Sequence, residues 1–220
     1  MTEILWHGRG GQGAFTAAKL LGAAYSLEEN SHFALAFPSF GPERRGAPIL
    51  AFTKLDQRQI GDRSQIKKAD YTIFLDDTLF SATAFYEIKE SGKILVSTKK
   101  TTSELFDSFS KEFYAHIKDG FEGMNGKDFS SGKSTEEFIN SNFAKKIIPF
   151  DADSLAMEIL KMPVTNTVML SLLAAESDLV SLEALKSAIS LYMAPKLYEK
   201  NSLIVDAVFE KRRKGASKND

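Results

Sequence analysis

The sequence predicts an α/β protein: a three-layer, wound, mostly parallel sheet with helices on both faces, plus a helical or loop insertion. Three observations predict it. The apolar run Ile4-Leu5-Trp6-His7 ends in glycines and passes straight into a stretch with helical spacing. Further short apolar runs bounded by turn residues recur along the first two thirds of the chain. Helical patterns with their own start and stop signals then fill the C-terminal part.

Residues 4–7 read as the first strand, and Phe15, Ala18, Leu21, Gly22 and Tyr25 mark one face of the helix that follows. Strands are expected at 33–37, ended by Pro38, at 49–53, and at 71–75, closed by Asp76 and Asp77. Leu79, Ala82, Phe85, Tyr86 and Ile88 suggest a helix through Glu90 that ends near Gly92, with the next strand at 94–97. Residues 101–145 are rich in Ser, Lys, Glu, Phe and Gly, and read as an insertion with helical pieces at 103–117 and 134–143. A strand returns at 147–150. Asp153 is expected to cap a helix at 155–161, Asn166 and Thr167 to start one through 175, and Ser181 to cap one at 182–193. In that helix Leu182, Leu185, Ala188, Ile189 and Tyr192 form one stripe, and the last helix spans 196–211. The 220 residues suit a single domain, 1–220, that contains the insertion.

Composition narrows the function. Lys and Arg number 28 against 29 Asp and Glu, a formal net charge of −1 that gives no basis for nucleic-acid binding. Without cysteine there is no disulfide, no thiolate nucleophile, and none of the usual ligands for an iron–sulfur cluster. No targeting or membrane-spanning stretch is visible, so the expected place is the cytoplasm.

Gly8, Arg9, Gly10, Gly11, Gln12 and Gly13 spell G-x-G-x-x-G between a strand and a helix. Missing side chains let backbone amides and a helix N-terminus approach an anion. A dinucleotide site also expects an acid at the end of the second strand, about 20 positions on. Here that strand ends in Phe37-Pro38, which counts against a nicotinamide cofactor. A tight strand–helix turn, a subunit contact and an anion site all remain open. Residues 38–48 combine prolines, glycines, Phe40 and the adjacent Arg44 and Arg45, and wound-fold geometry places them beside the glycine turn. Guanidinium groups there suit phosphate or carboxylate, or the loop's own Glu43. Asp76 and Asp77 read more simply as acids at a helix start than as a metal or acid–base pair. His7, His32 and His116 lack metal-ligand spacing.

Four stretches resemble one family. Residues 6–14 with Thr16-Ala17-Ala18-Lys19, then 37–48, then Arg63-Ser64-Gln65-Ile66 followed by 70–76, and finally 163–170 with 180–183, are similar in order to the gamma subunit of 2-oxoacid:ferredoxin oxidoreductases. The glycine and arginine segments look most like the pyruvate or ketoisovalerate branch. The insertion is longer than the family pattern. The resemblance implies a complex that converts a 2-oxoacid and coenzyme A to acyl-coenzyme A and carbon dioxide, or the reverse, with ferredoxin as electron partner. It implies alpha, beta and delta subunits as partners, which carry thiamine diphosphate, magnesium and the iron–sulfur clusters. For this chain it implies coenzyme A as a possible ligand, and no catalytic residue or metal ligand of its own. Gly8, Gly10, Gly11, Gly13 and Gln12 would shape the contact turn, while Arg9, Arg44 and Arg45 would meet phosphate or an inter-subunit carboxylate. Asn166 and Thr167 would brace the same edge. The alternatives are a purely structural assembly subunit and a stand-alone NAD-binding dehydrogenase.

Overall fold

Alternation along the first strand sets the layers. In the computed structural model, which describes residues 1–39, 45–107 and 144–216, β1 is Thr2–Arg9. Ile4 and Trp6 point to one face and Leu5 to the other, as period-two geometry requires, and all three are buried. β1 leads through the glycine turn into α1 (Ala14–Glu28), then β2 (Phe33–Pro38) and β3 (Pro48–Asp56). β4 (Ala69–Phe74), β5 (Ile88–Ser97) and β6 (Ile147–Phe150) complete one six-stranded sheet of order β2-β3-β1-β4-β5-β6. The β1–β4, β4–β5 and β5–β6 pairings are parallel. β3 runs antiparallel to both β1 and β2. The nine residues between β2 and β3, 39–47, are too few for a parallel crossover, and that fixes its direction.

The face of Ile4 and Trp6 carries α1 and four later helices: α3 (Ala152–Ile159), α4 (Asn166–Ser177), α5 (Leu182–Tyr192) and α6 (Pro195–Ala216). α4 is the central one, with Val168, Met169, Leu170, Leu172 and Leu173 all fully buried. Burying each such side chain contributes about 1.5–3 kcal/mol. Trp6 donates its indole N–H to Thr53 Oγ1 at 3.1 Å, and Thr53 donates in turn to the α1 carbonyl of Ala18, also at 3.1 Å. This chain of bonds removes the polar cost of placing both groups in the core. On the opposite face, Ile66 from the β3–β4 connection lies over Leu5 and Phe52. The buried Lys54 ammonium beneath that connection is held by Asp62 at 2.6 Å. The short helix α2 (Thr102–Asp107) covers the β5–β6 end of that face through Leu105.

Several expectations need correction. The region expected to be a helix through Glu90 is two 3-10 turns, Asp77–Leu79 and Ala82–Phe85, and β5 already starts at Ile88. Phe74, Phe80 and Phe85 pack edge to face, at 5.2 and 6.2 Å between ring centres. That aromatic cluster, rather than a helical stripe, explains the apolar spacing. Gly92 lies inside β5 and stops no helix. The cap of α3 is Asp151, whose carboxylate accepts from the Ser154 amide at 3.0 Å, and Asp153 sits in the first turn. Ser181 caps α5 as expected, through the Ala184 amide at 3.0 Å. Tyr192, expected on the buried stripe of α5, is 64% exposed. The helical piece expected at 103–117 is described only as α2, and the one at 134–143 lies outside the described residues.

Candidate functional site

The carboxyl ends of β1, β4, β5 and β6 share one edge of the sheet. Chain connections leave β1 toward β2 on one side, while β4 and β5 lie on the other, so a switch point opens between β1 and β4. In wound α/β sheets ligands bind outside the strand ends at such a point.

The glycine turn occupies this place. Gly8 and Arg9 are the last residues of β1, and Gly10, Gly11, Gln12 and Gly13 form the turn into α1. Gly11 and Gly13 have φ of 97° and 80°, the left-handed region that side chains disfavour. The turn is tied down from within: the Gln12 amide donates to the Arg9 carbonyl at 2.9 Å, and the Arg9 amide donates to Gln12 Oε1 at 2.7 Å. It is also tied to the arginine loop, as the sequence led us to expect. The Gly10 amide donates to Ala47 O at 2.8 Å, and the Gly46 amide returns a bond to Gly10 O at 3.0 Å. α1 receives no side-chain cap at its N-terminus.

Arg9 makes three bonds within the chain. Its Nε donates to Asp76 at 2.9 Å, one terminal nitrogen to Thr78 Oγ1 at 2.7 Å, and the other to Gly46 O at 3.2 Å. One guanidinium thus joins β1, the β4–β5 connection and the arginine loop. Gln12 adds a bond to the same Asp76 carboxylate at 3.3 Å. Burial would raise the Asp76 pKa, but bonds from the Thr78 hydroxyl and amide, then from Arg9 and Gln12, hold it below the usual carboxylate range. Asp77 accepts from Thr98 Oγ1 at 2.8 Å and pairs with Lys100 at 3.2 Å. The two aspartates therefore serve as structural anchors. His7 stacks on Phe74 at 4.2 Å with its Nε2 2.9 Å from Glu87, on the face away from α1.

Arg45 is exposed in the turn next to Gly46, whereas Arg44 lies outside the described residues, 40–44 being among those not described. Asn166 and Thr167 open α4, and both are buried. Asn166 reaches the turn directly, since its Nδ2 donates to Gly13 O at 3.4 Å and its Oδ1 accepts from the Thr167 amide at 2.8 Å. Thr165 donates to Leu75 O at 3.3 Å, which fixes α4 to the end of β4.

Beside this cluster lies a polar cleft of about 380 Å³, lined among others by Gln12, Asp76, Ser97, Lys99, Asp153 and Thr165. The Ser97 hydroxyl is buried there without a partner. Burial, and after it the nearby Asp151 carboxylate, push the Asp153 pKa up. Sequence reasoning passed over Ser97, Thr98, Lys99 and Lys100. Their signal was position, immediately after a buried parallel strand. The cleft offers hydrogen bonds and charge of both signs. No group of three or more His, Asp or Glu able to hold a metal occurs among the described residues, and no helix among them is long and apolar enough to cross a membrane.

The fold and this edge define a wound α/β chain whose glycine turn lies at the carboxyl end of β1, beside the switch point. A family profile described as pyruvate ferredoxin/flavodoxin oxidoreductase matches residues 3–211. Over 212 residues the chain is 34% identical to the pyruvate/ketoisovalerate oxidoreductases common subunit gamma of Pyrococcus furiosus, covering 96% of this chain and 97% of that one. It is 33% identical over 215 residues to pyruvate synthase subunit PorC of Methanocaldococcus jannaschii, covering 97% and 98%. Its fold matches the crystal structure of pyruvate oxidoreductase subunit PORC from Thermotoga maritima with a TM-score of 0.68 and 28% identity, over 95% of each chain. The chain belongs to the pyruvate ferredoxin/flavodoxin oxidoreductase family, and within it to the gamma-type subunits, as the four sequence stretches had indicated.

Proposed function

We propose that this chain forms the edge of a shared site in a pyruvate-type 2-oxoacid:ferredoxin oxidoreductase, where it contacts coenzyme A or closes over the reacting centre. Alpha, beta and delta chains supply thiamine diphosphate, magnesium and the clusters, and ferredoxin takes the electrons from them. The absence of cysteine supports placing cluster chemistry elsewhere. One observation carries the reading: the turn is pre-shaped by Arg9, Gln12 and Asp76, yet Gly11 is exposed and α1 starts without a side-chain cap among the described residues. Among the described residues a Cβ added at Gly11 meets no atom within 4 Å, and Gly11 is exposed, which supports an approach by a ligand or a partner. An anion there would lie on backbone amides at a helix N-terminus, with Arg45 alongside.

The test uses the complete complex purified through a tag on this chain, with partners and metal content identified. Gly11→Ala and Arg45→Ala are expected to raise the KM for coenzyme A several-fold while subunit ratios stay normal. Normal KM with lost subunits would support the purely structural assembly role instead. Recovery of a lone, active, NAD-binding chain would sink the proposal altogether.

A further inference from the structure

Resting on the reading of this chain as one subunit of a larger complex, we infer that a groove outside the glycine site docks an extended apolar segment of a companion chain that bears acidic side chains. The groove runs between the α3–α4 connection and the first turns of α4 and α6, with a volume of about 580 Å³. Its walls are Leu160, Met162, Val164, Met193 and Leu197. Met162 and Leu197 are 51% and 49% exposed, while the neighbouring Val164 and Met193 pack against the core. Apolar walls left open on a chain that works in an assembly mark a contact surface, and methionines let such a surface adapt to its partner.

Two features select the occupant. The charged lining residues are Lys196, Lys200 and Glu199, a cationic surplus that favours an acidic partner over a neutral or basic one. At the floor, Thr167 is 1% exposed and its hydroxyl has no hydrogen-bond partner among the described residues, next to Asn166. A buried hydroxyl without a partner is costly, and the backbone of an extended peptide supplies the missing bond. Apolar walls, one hydrogen-bonding group in the floor and a basic rim together fit a peptide strand better than a lipid chain. Since Asn166 also contacts Gly13, an occupant here braces the glycine turn from behind.

The test places a photo-crosslinking amino acid, p-benzoylphenylalanine, at position 197 in the assembled complex and identifies the crosslinked peptide. The expected product joins this chain to a companion-chain peptide that carries apolar residues together with Asp or Glu. The exposed double variant Lys196→Glu/Lys200→Glu is expected to lower recovery of that companion by about fivefold or more near 0.3 M salt, with an unchanged melting temperature for this chain. Tyr86→Asp, on the other face of the sheet, should leave recovery normal. A crosslink to a second copy of this chain, a crosslink to lipid, or no crosslink within an intact complex overturns the inference while leaving the subunit reading in place. If the unmodified tagged chain recovers no companion at all, the subunit reading fails and the inference falls with it.

Discussion

Replacing Gly13 by alanine tests how the turn is held. Gly13 has φ of 80°, and an L-residue held there costs about 1–2 kcal/mol. The new Cβ would sit 2.4 Å from Asn166 Nδ2 and 3.1 Å from its Cγ. The amide must therefore swing away, giving up its bond to Gly13 O and its hold on the Thr167 amide. That loss adds about 1–2 kcal/mol, so the total is roughly 2–4 kcal/mol. The Asn166 Cβ itself would be 3.5 Å from the new methyl, an ordinary contact. In an Asn166→Ala background the same change should then cost only the backbone part, about 1–2 kcal/mol. Urea unfolding of the four proteins in this cycle measures the coupling directly. Equal cost of Gly13→Ala in both backgrounds would refute the steric argument. A cost below about 0.5 kcal/mol in the native background would refute the backbone argument as well.

Four other substitutions have defined outcomes. Asp76→Asn should lower stability near pH 7 by about 1–3 kcal/mol. Because the folded pKa of Asp76 is depressed, its contribution is present above the ordinary carboxylate pKa and is lost as pH falls through the folded value. The gap between wild type and variant in urea midpoint should therefore close on acidification; a gap that widens would contradict the Arg9–Asp76 account. Asp151→Ala should cost about 1 kcal/mol through the lost α3 cap. Asp153→Asn should be neutral or stabilising near pH 7, because a raised folded pKa means its stabilising, protonated form is lost as pH rises. The reverse order of these two in thermal melts would restore Asp153 as the cap. Gly92→Ala should cost about 1–3 kcal/mol, since its Cβ would lie 2.9 Å from the backbone Asp70 O of β4 and 2.5 Å from Ile88 Cγ1. A melting temperature equal to that of wild type would show that β4 and β5 can separate to accept it.

The first βα unit was legible because several signals agreed: an apolar run, glycines that permit a left-handed turn, and helical spacing after it. β2, β3, β4 and β6 were legible as apolar runs between turn residues, and Ser181 as a cap. The direction of β3 was not read, although the short β2–β3 connection carried it. The 79–90 segment failed for a clearer reason. Leu79, Ala82, Phe85 and Ile88 satisfy a helical period over a short window, and only the ring cluster of Phe74, Phe80 and Phe85 shows that the segment packs as turns. Asp151 and Asp153 are equally good caps by residue type, so the choice depended on where β6 ends. For the site, the sequence identified the glycine turn and its neighbouring loop. It could not assign Arg9, because the carboxylate it meets is 67 positions away.

That distant pairing changes which groups are available for recognition. A guanidinium that donates to Asp76, Thr78 and Gly46 has three of its five N–H groups engaged inside the chain, and turning it outward would strand a partly buried carboxylate. Arg9 therefore helps to give the turn its shape. The same bonds pre-order Gly11, so a ligand binding there need not supply the ordering entropy. Other cationic groups near the turn are Arg45 and, at the neighbouring cleft, Lys99. Under the proposed function this divides two measurable effects. Arg9→Lys keeps the charge but loses the fork that joins three segments, so it should lower stability and coenzyme A affinity together. Arg45→Lys should preserve stability and reduce affinity only modestly. Loss of affinity with full stability in Arg9→Lys would return Arg9 to the role of direct ligand contact.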